Sequence, residues 1–449
     1  MANVIKLSKG LDINLKGVAE KKKISLRSNG RYMLQPDDFV GMTPKVVVKP
    51  GDRVKAGEAL FVNKEYSAVK FASPVSGTVK AVVRGERRKV LGVSVEADAG
   101  QEFVDYGKKD VRQLDGRGVK EALLEAGLFG FIDRLPYAVS ATPDAEPKAI
   151  FVSALRDKPL AADFEYELEG QEEDFQAGLT ALSKIAVTHL GIGRKQTAKA
   201  LTEARDVEVT VFDGPCPAGN VGVQVNHISP VNKGEVVWTV DPTVVLFIGR
   251  LFNSGKVDMR RCVAFTGSEV EKPAYVDMMV GEELATLLSN SVKVDHNVRI
   301  INGNVLTGRP TTKEGFLGAH ASEITVIPEG NDVDEFAGWI MPRFGQFSVN
   351  RSYFSWLFGK RRYALDARVK GGERHMIMSG EYDRVMPMDI YPEFLIKAII
   401  AGDIDKMEQL GIYEVAPEDF ALAEFVDSSK LELQRIVRQG LDMLRKENA

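Results

Sequence analysis

Two places in this 449-residue sequence carry residues in a pattern suited to chemistry. The first is Gly191-Ile192-Gly193, which follows an apolar strand and opens a helical segment, with Asp213 twenty residues past Gly193 at the end of the next strand. Glycines in such a turn let a pyrophosphate reach the N–H groups of a helix N-terminus, and the later carboxylate takes a ribose hydroxyl. Read this way, Gly191, Gly193 and Asp213 give a stand-alone soluble NAD(P)-binding oxidoreductase. Gln196 replaces the third glycine and hinders close packing of helix on strand, which favours a βα turn without a ligand. The second place is Cys216, in Gly214-Pro215-Cys216-Pro217-Ala218-Gly219-Asn220. A loop cysteine near a helix N-terminus can ionise readily, but as a nucleophile it needs a histidine base. Neither His189 nor His227 can be placed beside it from the sequence, so a rigid structural loop is the better reading.

Other chemistry is excluded by composition. Two cysteines and five histidines, with no C-x-x-C and no H-E-x-x-H, G-x-S-x-G or P-loop run, leave no metal site and no ligand set for an iron–sulfur cluster. A net charge of −4 gives no electrostatic footprint for nucleic acid. Hydrophobic residues at 44% and charged residues at 27% describe a folded chain with ample core, and the length suggests about three domains. The most apolar run, Val244 to Ile248, is far short of the ~18 apolar residues of a spanning helix. No apolar signal core follows Met1, and with so few cysteines the expected compartment is the cytoplasm.

One segment invites a surface role. Between Phe336 and Tyr363 nine of 28 residues are aromatic, and between Met341 and His375 eight basic residues face only Asp366 and Glu373. Core aromatics with a solvated basic face are one reading. The sharper one is contact with a membrane surface or a membrane-embedded partner, where Trp prefers the interface and each basic residue gains about 1 kcal/mol near anionic headgroups.

The elements that position these residues change in character along the chain. The first hundred residues alternate in short Val- and Lys-rich strands with turns at Pro50-Gly51-Asp52 and Ser73-Pro74. From Ala149 to Phe252 strands alternate with helices: a strand at Ala149–Val152, a helix over Glu173–Leu182, a strand at Ile185–Val187, a helix over Gln196–Ala204 and a strand at Val207–Phe212. That order argues for a parallel sheet covered by helices. Short strands near Arg261, Ala274 and Val298, with a helix over Glu282–Leu288, predict a small mixed α+β domain. The C-terminus reads as helices, with Pro392 in a first turn and Gly402 and Gly411 at stops.

The run Val54-Lys55-Ala56-Gly57-Glu58-Ala59-Leu60 with Pro74-Val75-Ser76-Gly77-Thr78-Val79 resembles biotinyl and lipoyl carrier domains. Their modified lysine lies about seven residues past the leucine, and here that position is Ser67, with Lys64 and Lys70 each three residues away. The fold is expected without its covalent cofactor.

The whole chain resembles the NqrA family, one of the kinds of subunit that make up the Na⁺-translocating NADH:quinone oxidoreductases. The matching runs include GLDINLKG from Gly10, VKFASPVSGTV from Val69, FVSALRDKPLAAD from Phe151, LEGQEEDFQAGL from Leu168, GERHMIMSGEYDRVMPMDIYP from Gly372 and AIIAGDIDKMEQLG from Ala398. The resemblance implies a multidomain α/β chain: a biotinyl-lipoyl-like β domain over 1–110, a Rossmann-like domain over 111–255, a β-grasp domain of the soluble-ligand-binding type over 256–330, and an aromatic/basic segment with a helical C-terminal domain over 331–449. It implies a peripheral subunit on the cytoplasmic face of the bacterial inner membrane, within a complex that couples electron transfer from NADH to quinone to Na⁺ export. NADH, flavins, iron–sulfur and quinone would belong to other subunits, with no cofactor bound by this chain, which would support assembly and quinone access. Quinone or partner contact is expected at Trp339, Phe344, Phe347, Phe354, Trp356 and Phe358. The fold is also similar to the flavin-binding subunit of respiratory complex I and to the corresponding subunit of the Rnf complex. Their glycine-rich flavin loop is replaced here by Leu128-Phe129-Gly130-Phe131-Ile132. Two runs depart from common members of the family, Cys216-Pro217-Ala218-Gly219 for His-Pro-Ala-Gly and Asp427-Ser428-Ser429-Lys430 for Cys-Pro-Gly-Lys.

Overall fold

The computed structural model describes residues 3–289, 291–293, 296–331, 344–349 and 353–448. The alternating strands of the middle region lie side by side: Glu208–Asp213, Thr188–Gly193, Ala149–Ser153 and Val237–Val240 are neighbours in that order, and all are parallel. Parallel neighbours need crossovers, and the intervening helices supply them on the sheet faces. All six residues of Thr188–Gly193 are buried, as a central strand covered on both faces requires. An antiparallel pair, Asp133–Leu135 and Val139–Ser140, closes the far edge.

Two helices share one face through backbone contact. Pro242–Ser254 starts where Asp241 accepts the N–H of Thr243 and stops at Gly255, whose φ of 75° suits a left-handed cap. It carries the apolar run Val244–Ile248, fully buried. It crosses Glu172–Ile185 so closely that a Cβ on Gly178 would sit 2.1 Å from the Val245 carbonyl oxygen, and one on Gly249 would sit 1.7 Å from that of Asp174. Glycine at both positions is what allows this crossing.

The sequence reading needs three corrections here. Ile185 ends a helix, and the strand expected at Ile185–Val187 begins at Thr188. The helix expected over Gln196–Ala204 is a single turn, Lys199–Thr202, because Glu165 Oε1 accepts the N–H groups of both Thr197 and Ala198 at 2.6 Å and holds the approach in another conformation. The first residues also leave the expected 1–110 β domain: Asn3–Lys6 pairs in parallel with Glu208–Asp213, and Glu20–Ile24 pairs with Ala274–Met279.

The remaining strands form three antiparallel or mixed sheets. Arg31–Leu34, Val90–Ala97, Gly77–Arg84 and Arg53–Val54 make one, and Pro44–Val46, Ala59–Asn63 and Lys70–Ala72 another. Phe39, Phe61 and Phe71 fill the space near them, with ring centroids 4.4 Å apart for Phe39–Phe71 and 4.9 Å for Phe61–Phe71. A six-stranded mixed sheet runs Arg309–Thr311, Val298–Asn302, Glu323–Pro328, Arg260–Thr266, Ala274–Met279, Glu20–Ile24. The C-terminal helices Pro392–Ala401 and Leu433–Glu447 pack on each other, with Leu433, Val437, Leu441 and Leu444 buried at helical spacing.

Candidate functional site

The described part of the aromatic and basic segment is held at Ser348–Ser355 and at Tyr363 and is exposed between. Tyr363 is buried, its N–H donates to the Asn14 carbonyl at 2.8 Å, and its carbonyl accepts from Lys16 N–H at 2.9 Å, which ties the segment to the N-terminal arm. Ser348 N–H donates to Ser355 Oγ at 2.9 Å, drawing the short 3₁₀ turn Phe354–Leu357 back on the preceding chain. Between these anchors Trp356 is 52% exposed, Leu357 55% and Phe358 44%, and Lys360, Arg361 and Arg362 follow, all exposed. Arg361 lies over the Phe358 ring at 5.9 Å and the Tyr363 ring at 5.7 Å, so one guanidinium joins the exposed ring to the anchored one.

Of the six nominated aromatics, four share this surface. Phe344 stacks on Phe354 with centroids 5.4 Å apart, beside Trp356 and Phe358 in sequence. Phe347 is set apart: half-buried, it packs edge-on against Tyr363 at 5.7 Å and against Phe425 at 6.1 Å, and so belongs to the C-terminal core. Trp339 lies outside the described residues. Leu357 was not among the nominated residues, nor were Tyr391, at the start of the helix Pro392–Ala401, and Phe394 and Ile400 along it, all of them exposed. Their signal was that this helix is apolar on more than its core face, the mark of a surface that meets something besides solvent.

The other candidate positions are closed. Gln196 Oε1 accepts the Gly193 N–H at 2.7 Å, and its Nε2 donates to the Ala154 carbonyl at 3.0 Å. The donor that a pyrophosphate would use is therefore taken. Gly191 faces Gln224, whose Oε1 would lie 1.9 Å from an added Cβ, and Asp213 is paired with Arg194 at 2.6 Å. The Cys216 thiol is buried, and burial, with Asp157 nearby, pushes its pKa well above the ordinary thiol range. Its backbone N–H is held by Asp12 at 3.0 Å, as befits a structural loop. His189 stacks on Phe151, and His227 bonds the Val223 carbonyl within its own helix. Ser67 sits exposed on the hairpin tip between Ala59–Asn63 and Lys70–Ala72, where Tyr66 donates to Asp144 at 3.2 Å. Asp427 takes the N–H groups of Ser429 and Leu431 in a buried turn, which explains the departure there as local packing. Among the described residues no helix is long and apolar enough to cross a membrane, and no group of three or more His, Cys, Asp or Glu could hold a metal ion.

Comparison with known proteins places the chain. Residues 5–98 match the NqrA N-terminal barrel-sandwich hybrid domain, residues 114–257 the NqrA second alpha/beta domain, and residues 262–313 the NQRA C-terminal domain. The NqrA subunit of the Na(+)-translocating NADH-quinone reductase of Vibrio atlanticus is 35% identical over 448 residues, and that of Yersinia pestis bv. Antiqua is 34% identical over 449. Each alignment covers 99% of this chain and the whole of the relative. The same subunit of Haemophilus influenzae is 35% identical over 450 residues with equal coverage. A structure of an NAD⁺-reducing [NiFe]-hydrogenase aligns over 74% of this chain and 61% of that one, but at 12% identity and a TM-score of 0.35 it carries no argument. From end to end, in its barrel-sandwich and further α/β domains alike, the chain belongs to the NqrA family of subunits of the Na⁺-translocating NADH-quinone reductase.

Proposed function

We propose that this chain is a peripheral subunit of a Na⁺-translocating NADH:quinone reductase, held on the cytoplasmic face of the membrane, where it supports assembly and the approach of quinone. The observation that carries the reading is the exposed face of Phe344, Phe354, Trp356 and Phe358 with Lys360, Arg361 and Arg362, in a chain that is 34–35% identical over its full length to relatives named as subunits of that enzyme. Exposed aromatics flanked by cations suit a headgroup-level surface, where the rings leave water and the cations meet anionic groups. The redox groups of the complex, flavin and iron–sulfur, belong in this reading to its other subunits, as do the NADH site and the membrane-spanning path.

The same reading names the domains. The two small antiparallel sheets over the first hundred residues are the biotinyl-lipoyl-like domain, to about residue 110. The parallel strands from Ala149 to Val240 are the core of the Rossmann-like domain of 111–255, with Asn3–Lys6 added at the sheet edge. Five strands of the mixed sheet, between Arg260 and Pro328, are the β-grasp domain of 256–330, with Glu20–Ile24 added at its edge, and residues 331–449 hold the aromatic/basic segment and the helical domain. The parallel strand order and the short helix Ala285–Leu288, whose Leu287 and Leu288 pack with the mixed sheet, support these assignments.

The test is a Trp356→Ala, Phe358→Ala double variant expressed in place of the parent chain. Both rings are largely exposed, so unfolding free energy should change by no more than about 0.5 kcal/mol per site. Recovery with the membrane subunits should fall at least tenfold. Undiminished recovery and quinone reduction would sink the docking role of this face.

A further inference from the structure

A cavity of about 410 Å³ opens at the carboxyl ends of the Ala149–Ser153 and Val237–Val240 strands. These neighbours are where the strand order reverses: from Ala149–Ser153 the chain moves outward to Thr188–Gly193 and Glu208–Asp213, then returns to Val237–Val240 on the opposite side. Open parallel sheets take ligands in the crevice at such a reversal. The size is that of a small-molecule site. Neither Gly191 nor Asp213 lines it, and neither does any residue of the exposed aromatic face.

The charges in the cavity are unequal. Its carboxylates are Asp38, Asp133, Asp157, Asp241, Glu323 and Glu418, against the cations Arg156, Lys158 and Arg309. His320 also lines it, but burial lowers its pKa to about 4 and leaves it neutral. The cations are already engaged. Arg156 binds Glu167 at 2.7 Å and Thr243 at 2.8 Å, Lys158 binds Glu418 at 2.9 Å, and Arg309 donates to the Asp37 carbonyl at 2.9 Å. Several acceptors are left over. Asp157 Oδ1 is buried without a hydrogen bond, while its other oxygen holds the Gly219 N–H. Glu323, only 6% exposed, receives just the Ala162 N–H, at 3.4 Å. Asp133, half-buried, lines the cavity, feels the charges of Glu418, Asp241 and Arg438, and has no hydrogen-bond donor on its carboxyl group.

A buried carboxylate oxygen without a donor, beside two further under-satisfied carboxylates, calls for a ligand that brings donors and positive charge. An anionic ligand would meet saturated cations and leftover carboxylates. A bare metal ion lacks its site, since no group of three or more acidic, His or Cys side chains among the described residues is arranged to hold one. We infer that this cavity binds a small organic cation bearing ammonium or guanidinium N–H groups, received by Asp133, Asp157 and Glu323.

The experiment is calorimetric titration of the full chain with putrescine, alongside inorganic phosphate and glycerol. One putrescine should bind per chain, and neither control should give saturable heat. Asp133→Asn and Glu323→Gln should each weaken binding at least tenfold, with a single cooperative thermal unfolding transition showing that the variants fold. Lys158→Met frees Glu418, so putrescine should bind more tightly, whereas an anion site would weaken. In the parent chain affinity should fall about tenfold from pH 8 to pH 6 as Asp133 takes up a proton beside Glu418 and Asp241, and this holds as a test even if a variant fails to fold. Absence of saturable putrescine heat, saturable phosphate binding, or weaker binding in Lys158→Met would each overturn the assignment.

Discussion

Gln196 Oε1 accepts the backbone N–H of Gly193 at 2.7 Å, so the side chain in place of a third glycine closes the turn that a dinucleotide would need. The same amide donates to the Ala154 carbonyl, so one residue satisfies two backbone groups. Gln196→Ala should therefore cost about 1–3 kcal/mol in urea unfolding, the usual penalty for buried backbone groups left without partners. Titration of the parent chain with NADH should show no saturable heat. A neutral Gln196→Ala, or NADH binding by the parent, would show the turn to be open.

The crossing of Glu172–Ile185 and Pro242–Ser254 makes a sharper stability prediction. A Cβ on Gly249 meets backbone, the Asp174 carbonyl at 1.7 Å, and no rotamer change can relieve it. Gly249→Ala should lose at least about 1–3 kcal/mol, as overpacking generally does. Gly100→Ala is the control, with nothing within 4 Å of the added atom, and should be neutral or slightly stabilising. Equal thermal midpoints for the two variants would contradict the close crossing.

Local pattern in the sequence carried much of this architecture. The strand–helix alternation after Ala149 foretold the parallel sheet, and Pro392, Gly402 and Gly411 marked helix ends where the chain has them. What it lacked was long-range pairing. Nothing near Asn3 announces a partner at Glu208–Asp213, since a short strand carries no address for its neighbour. The exposed aromatic surface was legible as composition, but Phe347 turned inward because Tyr363 and Phe425, distant in sequence, offer it a core. The acidic cavity was invisible for the same reason. Asp38, Asp133, Asp157, Glu323 and Glu418 are scattered along the sequence, and only the sheet's reversal point brings them together.

Asp133 gives a prediction in pH. Burial first, then Glu418 and Asp241 working against Arg438, push its pKa up to about 7, while in the unfolded chain it titrates near an ordinary value of about 4. Between those values the folded chain holds a proton that the unfolded chain has lost, so this group's contribution to stability declines as pH rises. Asp133→Asn removes the decline. The variant-minus-parent difference in unfolding free energy should grow from pH 5 to pH 7, by at most about 1.4 kcal/mol per unit, and level off above. A difference independent of pH would contradict an elevated pKa.

The two cysteines should be silent in the native chain. Both are buried; burial raises the Cys262 thiol to about 12 despite Lys23, and raises Cys216 further. Thiolate is the reactive form, so a disulfide reagent at pH 8 should label neither until the chain is unfolded, and then both. Rapid native labelling of Cys216 would restore it as a candidate nucleophile.

The central claim concerns what this chain belongs to. It is tested most directly by recovering the tagged chain from the membranes of the organism that makes it, identifying the co-purified subunits by mass, and following NADH-driven quinone reduction with Na⁺ added or withheld. Recovery with polytopic membrane subunits and with Na⁺-stimulated activity is the predicted result. Recovery alone in the soluble fraction, with bound nucleotide, would contradict it.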